Sequence, residues 1–271
     1  MAFLKHTVQG HIALYAPLLM LLFALILRAV SFEFRDKVEN DVWRAIWDIV
    51  HFFANLVPAI LLGVAFANLF KGIPVDADGV FHGTLLSLLN SYGVVGGLFF
   101  LSFFVLHGAL WLIIKTDGDL QIKAIGAANF MWPIVLLLLL LFLWMTLAHT
   151  HIFENYFNNP ALFALPILAV GGLIGTRICL NEGKLWGTWA CHCVFILGVT
   201  FFGVSGMYPG IILSSIDPAA TVTILNGAST ELTLKIMLGV VIVMVPIVIA
   251  YQMWMYRLFS NPVTPEELND H

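Results

Sequence analysis

Charge is what this sequence has least of. Twelve Lys and Arg and 16 Asp and Glu make up 10% of 271 residues, against 61% hydrophobic residues and a mean hydropathy of +0.96. Soluble proteins carry about 25% charged residues, so too little polar surface is present here to clothe a globule in water. The same apolar wealth excludes intrinsic disorder. A formal net charge of −4 supplies no basic footprint, which argues against a nucleic-acid partner. Cysteine is also scarce. Cys179, Cys191 and Cys193 stand in apolar surroundings and point to neither a disulfide framework nor a zinc site. The signatures of soluble catalysis are missing: phosphate loop, nucleophile elbow and C-x-x-C-H haem attachment. What remains is an all-α polytopic transmembrane bundle.

Long charge-free runs locate its spans, since a helix needs about 20 mostly apolar residues to cross a bilayer. They cover 12–27, 49–70, 79–114, 124–153, 155–176, 185–216 and 236–256. With glycine and proline breaks, this predicts seven helices near 12–34, 47–70, 92–115, 125–149, 161–180, 186–207 and 235–258, in one transmembrane domain over 1–271. The first is a span rather than a signal peptide, because Arg28 and the charged run over 33–41 stand where a cleavage site would be. Arg28, Arg35, Lys37, Arg44, Lys115, Lys123, Arg177, Lys184 and Arg257 fall on one side, and only Lys5, Lys71 and Lys235 on the other. By the positive-inside rule the C-terminus is cytoplasmic and the N-terminus outside. The outside loop over 208–232 has no basic residue and is expected to pack over the outer mouth of the bundle.

Ionisable groups at membrane depth are functional hypotheses, because their burial is costly unless paired or hydrated. Glu33, beside Arg35 and one turn from Lys37, reads either as a solvated helix end or as a proton-carrying carboxylate on a hydrated path. Asp48, His51 and Asn55 share one helix face, which suits proton relay. Equally, Trp43 and Trp47 suit interfacial anchoring, with Asp48 as an N-terminal helix acid. Arg28 and Arg35 complete a polar patch. His107 reads best as a hydrogen-bonded interhelical histidine, since neither it nor His192 has an evident partner at ligand spacing. The cysteines of Cys191-His192-Cys193 point about 200° apart on a helix, so a metal site is not expected. His149, His151 and Glu154 read as a wet outer loop, and Gly93, Gly96 and Gly97 as close helix packing.

Three stretches together resemble subunit II of the cytochrome bd quinol oxidases. The first runs from Ala24-Leu25-Ile26-Leu27-Arg28 into Phe32-Glu33-Phe34-Arg35, then Trp43 and Trp47-Asp48. The second begins Pro58-Ala59-Ile60-Leu61-Leu62-Gly63, continues through Gly72-Ile73-Pro74, and reaches His107-Gly108-Ala109 with Lys115-Thr116. The third holds Gly206-Met207-Tyr208-Pro209, Ser214-Ser215, Thr223, Asn226, Ala228-Ser229, Thr233-Leu234 and Tyr251. The family's usual first two helices, with D-G-F-D-type and W-[DE]-G-N-type segments, have no counterpart. The resemblance therefore implies a start at the family's third helix, and a proton path lacking an acidic residue from the second. A misplaced start, a split gene or a remnant would each explain this.

What the resemblance implies is a complex that oxidises quinol and reduces dioxygen to water with protons from the cytoplasm, in a bacterial or archaeal cytoplasmic membrane. Two haems b, one haem d and the quinol site would belong to a larger subunit I. This chain would be a haem-free scaffold on that partner, bordering proton or oxygen routes, with no active site of its own. A small single-span accessory subunit and membrane lipid are further candidate partners. Glu33 takes the acidic position the family places on the proton path, while Asp48 and His51 are added from helical spacing. Phe99-Phe100 and Phe103-Phe104 offer aromatic surface for the subunit interface. The alternative is a proton-coupled transporter of a small solute, although no paired broken helices are evident. A purely structural subunit is a third reading.

Overall fold

Inside a bilayer an apolar stretch can satisfy its backbone only through its own helical hydrogen bonds. The computed structural model describes residues 2–77, 81–259 and 261; the rest of the expected 1–271 domain lies outside the described residues. Among the described residues, seven helices are long and apolar enough to cross a membrane. They are α1 (Ala2–Arg35), α2 (Asp41–Lys71), α3 (Ser91–Lys115), α4 (Asp119–His149), α6 (Ala164–Asn181), α7 (Leu185–Met207) and α8 (Glu231–Leu258). A short α5 (Ile152–Asn158) intervenes, unforeseen because its seven residues show little periodicity. The chain is an all-α polytopic bundle. Pro17, Pro58, Pro133 and Pro246 all lie within continuous helices.

Caps move some helix starts upstream of where hydropathy alone sets them. Asn40 accepts hydrogen bonds from the Val42 and Trp43 backbone N–H groups, so α2 begins at Asp41 rather than near 47. Asp48 is therefore two turns inside α2, not in its first turn. Thr230 accepts from the Thr233 N–H and starts α8 at Glu231. Gly72, at φ +88°, ends α2 in a conformation that favours glycine.

Successive helices α1 to α4 pack as neighbours, α6 packs on α7, and α3 crosses to meet α7. Close approach rests on glycine, as expected. A Cβ on Gly96 would lie 2.7 Å from the Ala67 Cβ and 2.8 Å from the Gly63 carbonyl oxygen on α2. Gly198 and Ala169 close α6 on α7 in the same way. Around α3 the core gathers Phe99, Phe103, Leu106, Phe142 and Phe195. Phe99 and Phe103 thus fill this core instead of an outer face; of the expected aromatic surface, Phe104 stays exposed. Several buried polar groups pair with one another or with backbone: Tyr92 and Thr146 hydroxyls meet at 2.7 Å, and Asn68 donates to the Val64 and Leu88 carbonyls.

The segment after α7 folds onto the end of α2. Its strands β1 (Gly210–Ile212) and β2 (Val222–Thr223) pair antiparallel. Ile73 donates to the Leu213 carbonyl at 2.9 Å, and Ser215 donates back to Ile73 at 3.0 Å. By contrast α8 has no buried residue; it reaches α3 through Tyr256 against Trp111 and through Lys115, which donates to the Phe259 carbonyl.

Candidate functional site

Two polar constellations occupy the basic end of the bundle. The first lies where α1 meets α2. Because Asn40 starts α2 early, Asp48, His51 and Asn55 rise along the flank of α1. Arg35 clamps Asp48 as a fork, Nε to Oδ1 at 2.7 Å and a terminal nitrogen to Oδ2 at 3.4 Å. His51 Nδ1 lies 2.8 Å from the Ser31 hydroxyl and its ring meets Phe32 edge-on at 4.5 Å. Asn55 donates to the His51 carbonyl. Trp43 donates its indole N–H to the Phe34 carbonyl at 2.7 Å, tying the loop between the helices.

Arg28, Asp48, His51 and Asn55 all line one groove of about 780 Å³ between α1, α2 and α3. Its other walls are apolar, including Leu25, Phe52, Leu101 and Phe104. Four of the expected polar residues are thus brought together. Glu33 is exposed and does not line the groove; among the described residues it forms no ion pair, with Lys37, Arg35 or any other cation. Arg35 turns to Asp48 and Asp36 instead. Among the described residues the Arg28 side chain likewise has no carboxylate partner. The groove is a polar-ended, apolar-walled cleft.

The second constellation lies between α3 and α7. His107 Nδ1 and His192 Nδ1 face each other at 3.0 Å, with ring centres 5.1 Å apart. His107 is the interhelical histidine expected, but its partner is the histidine that seemed to lack one. Sequence held a signal for this pairing: each histidine stands eight residues from a lysine at the basic end, Lys115 and Lys184. On antiparallel helices equal offsets mean equal depth, about 12 Å in. The pair does not fit a haem or other metal between the rings, which would hold opposed nitrogens about 4 Å apart. No group of three metal-ligating side chains occurs among the described residues. Where α6 packs on α7, Cys191 Sγ approaches Cys179 Sγ at 4.0 Å.

Elsewhere, His151 and Glu154 pair at 2.5 Å on an exposed surface. At the turn between α6 and α7, Glu182 holds the Lys184 ammonium above its usual pKa, mainly through their hydrogen bond. Tyr156, on α5, donates its hydroxyl to the Phe202 carbonyl at 2.7 Å, and burial pushes its phenol pKa up.

Comparison with known proteins follows the same lines. Residues 2–259 match the family described as Cytochrome bd terminal oxidase subunit II. The chain is 30% identical over 256 residues to Cytochrome bd ubiquinol oxidase subunit 2 of Bacillus subtilis, covering 93% of this chain and 74% of that protein. It is 28% identical over 278 residues to Probable cytochrome oxidase subunit 2 of Haemophilus influenzae, covering 91% and 74%. To Cytochrome bd-I ubiquinol oxidase subunit 2 of Escherichia coli K12 it is 26% identical over 285 residues, covering 94% and 75%.

Proposed function

Because the chain belongs to the cytochrome bd terminal oxidase subunit II family, we propose that it is the haem-free subunit of a membrane-bound quinol:oxygen oxidoreductase. It is a multi-pass membrane protein. In this reading it packs on a larger haem-bearing subunit in the cytoplasmic membrane, with its basic end and C-terminus in the cytoplasm. The haems of the partner reduce dioxygen, and the residues of this chain admit and hold the protons consumed. The groove between α1, α2 and α3 is the observation that carries the proton role: it collects Arg28, Asp48, His51 and Asn55 at the basic end of an otherwise apolar wall.

Glu33 takes the proton at the end of α1, where among the described residues no cation pairs with its carboxylate. Asp48 cannot act alone while Arg35 clamps it, so the clamp tunes when the carboxylate is available. His51, hydrogen-bonded to Ser31, continues the route toward Asn55. The apolar walls beyond suit passage of dioxygen, an uncharged gas.

Glu33→Gln keeps the side chain's shape and removes its titrating proton. In the assembled oxidase, turnover is expected to fall several-fold while the haem spectrum of the partner stays intact. Loss of the haem spectrum together with activity assigns Glu33 a structural role. Full turnover removes Glu33 from the proton route.

A further inference from the structure

A buried polar nitrogen without a hydrogen bond costs about 1–3 kcal/mol, so each one in a folded protein calls for an explanation. His192 is fully buried, and its Nε2 has no partner. One turn earlier on α7, Trp189 Nε1 is also buried and unpartnered. Residues at i and i+3 share a helix face. The Trp189 ring further lies 5.9 Å from that of His107, so both orphaned nitrogens belong to the neighbourhood of the histidine pair.

Exposure falls across this pair. His107 is half-buried and its Nε2 is not among the enclosed orphan atoms, whereas His192 has no exposed surface. Between them, two Nδ1 atoms at 3.0 Å can be hydrogen-bonded only if one carries a proton and the other does not. A neutral imidazole holds a single N–H. One ring's outer nitrogen is therefore bare and the other's is protonated, which is the arrangement a two-ring proton wire requires.

We propose that His107 and His192 form a proton relay that runs from half-buried His107 on α3 to an internal water bound by His192 Nε2 and Trp189 Nε1. The proposal deepens the proton role argued above and adds a second route, separate from the groove. A proton binds His107 Nε2 as the Nδ1 proton of that ring crosses to His192 Nδ1; His192 then releases its Nε2 proton to the water. One proton enters, one leaves, and both rings return by exchanging tautomers. A buried water with two to four polar partners is the ordinary means of satisfying such orphans. Rigid packing holds the spacing: Phe195 contacts the His192 ring and packs against Phe99 and Phe103 on α3. Trp111 packs tilted against Trp189 and carries the Lys115 ammonium over its own ring.

The test uses the assembled oxidase carrying His107→Gln or His192→Gln. Glutamine can hydrogen-bond but cannot pass a proton through its side chain. Expected are an unchanged haem spectrum and quinol KM, turnover lowered about tenfold or more, and a larger solvent deuterium isotope effect. Unchanged turnover and isotope effect in both variants overturn the relay. A second measurement needs no variant: infrared difference spectra of the native complex during turnover should show a broad imidazole continuum that shifts with ¹⁵N-histidine. Its absence also overturns the relay. Unaffected histidine variants beside a slowed Glu33→Gln enzyme would remove only this route, whereas purification without any haem-bearing partner would overturn the functional reading itself.

Discussion

At Arg35 a single guanidinium holds Asp48 in a two-point fork, yet the pair contributes little to stability. Both side chains are about half exposed, 43% and 55%, and such ion pairs contribute about 0–1 kcal/mol. Arg35→Gln is therefore expected to leave the thermal unfolding midpoint nearly unmoved. A large drop would instead make the fork an anchor of α1 on α2. Tyr156 presents the opposite case. It is fully buried, and Tyr156→Phe removes its hydrogen bond to the Phe202 carbonyl, at a cost of about 0.5–1.5 kcal/mol in denaturant titration. Its raised pKa gives this contribution a pH window. An unfolded tyrosine loses its proton near pH 10 while the folded one keeps it. The stabilisation is thus complete below about pH 10 and is lost as pH rises beyond it. Stability of the Phe variant should fall less steeply above that pH, and an equal slope would contradict the assignment.

Helix against helix, small residues set the spacing. Gly63 and Gly96 let α2 and α3 approach until backbone meets backbone, and neither helix can retreat without uncovering the aromatic core behind it. Gly96→Leu is expected to destabilise the bundle by about 3 kcal/mol or more, as overpacking against an immovable backbone does. Gly126→Ala is the matched control: a Cβ there meets nothing within 4 Å, and alanine is the better helix former. Unfolding of both variants in mixed detergent micelles gives the comparison. Equal stabilities would mean that the α2–α3 contact yields easily. The glycines themselves stood out in the sequence. Their partners did not, because Gly63 and Gly96 are brought together only by the turn-containing segment between α2 and α3.

Across the whole molecule, burial is uneven: half of the best span window is buried in α3, and none in α8. Phe99 and Phe103 are consumed by the core, so the subunit interface must draw on other surface. If the chain serves as an oxidase subunit, α8 is a natural place for contact with the larger partner. A photo-crosslinking residue at Val241 is expected to capture a haem-bearing protein in native membranes. Adducts with lipid alone would place the interface elsewhere.

Hydropathy and capping chemistry were enough to determine seven spans, a multi-pass bundle and the sites where small residues bring helices together. These are local properties, carried by runs and turns of a few residues, and Asn40 and Thr230 show that even the early helix starts were written there. The helical face of Asp48, His51 and Asn55 was legible for the same reason. What only the tertiary structure decided is who meets whom. Arg35 chose Asp48 over Glu33 across 13 residues, Cys179 met Cys191 across 12, and His107 met His192 across 85. Depth can be counted along a helix, but the choice of neighbour depends on which helices pack side by side and how each is rotated about its axis. That choice is made by the collective fit of glycine and aromatic surfaces, and no single stretch of chain carries it.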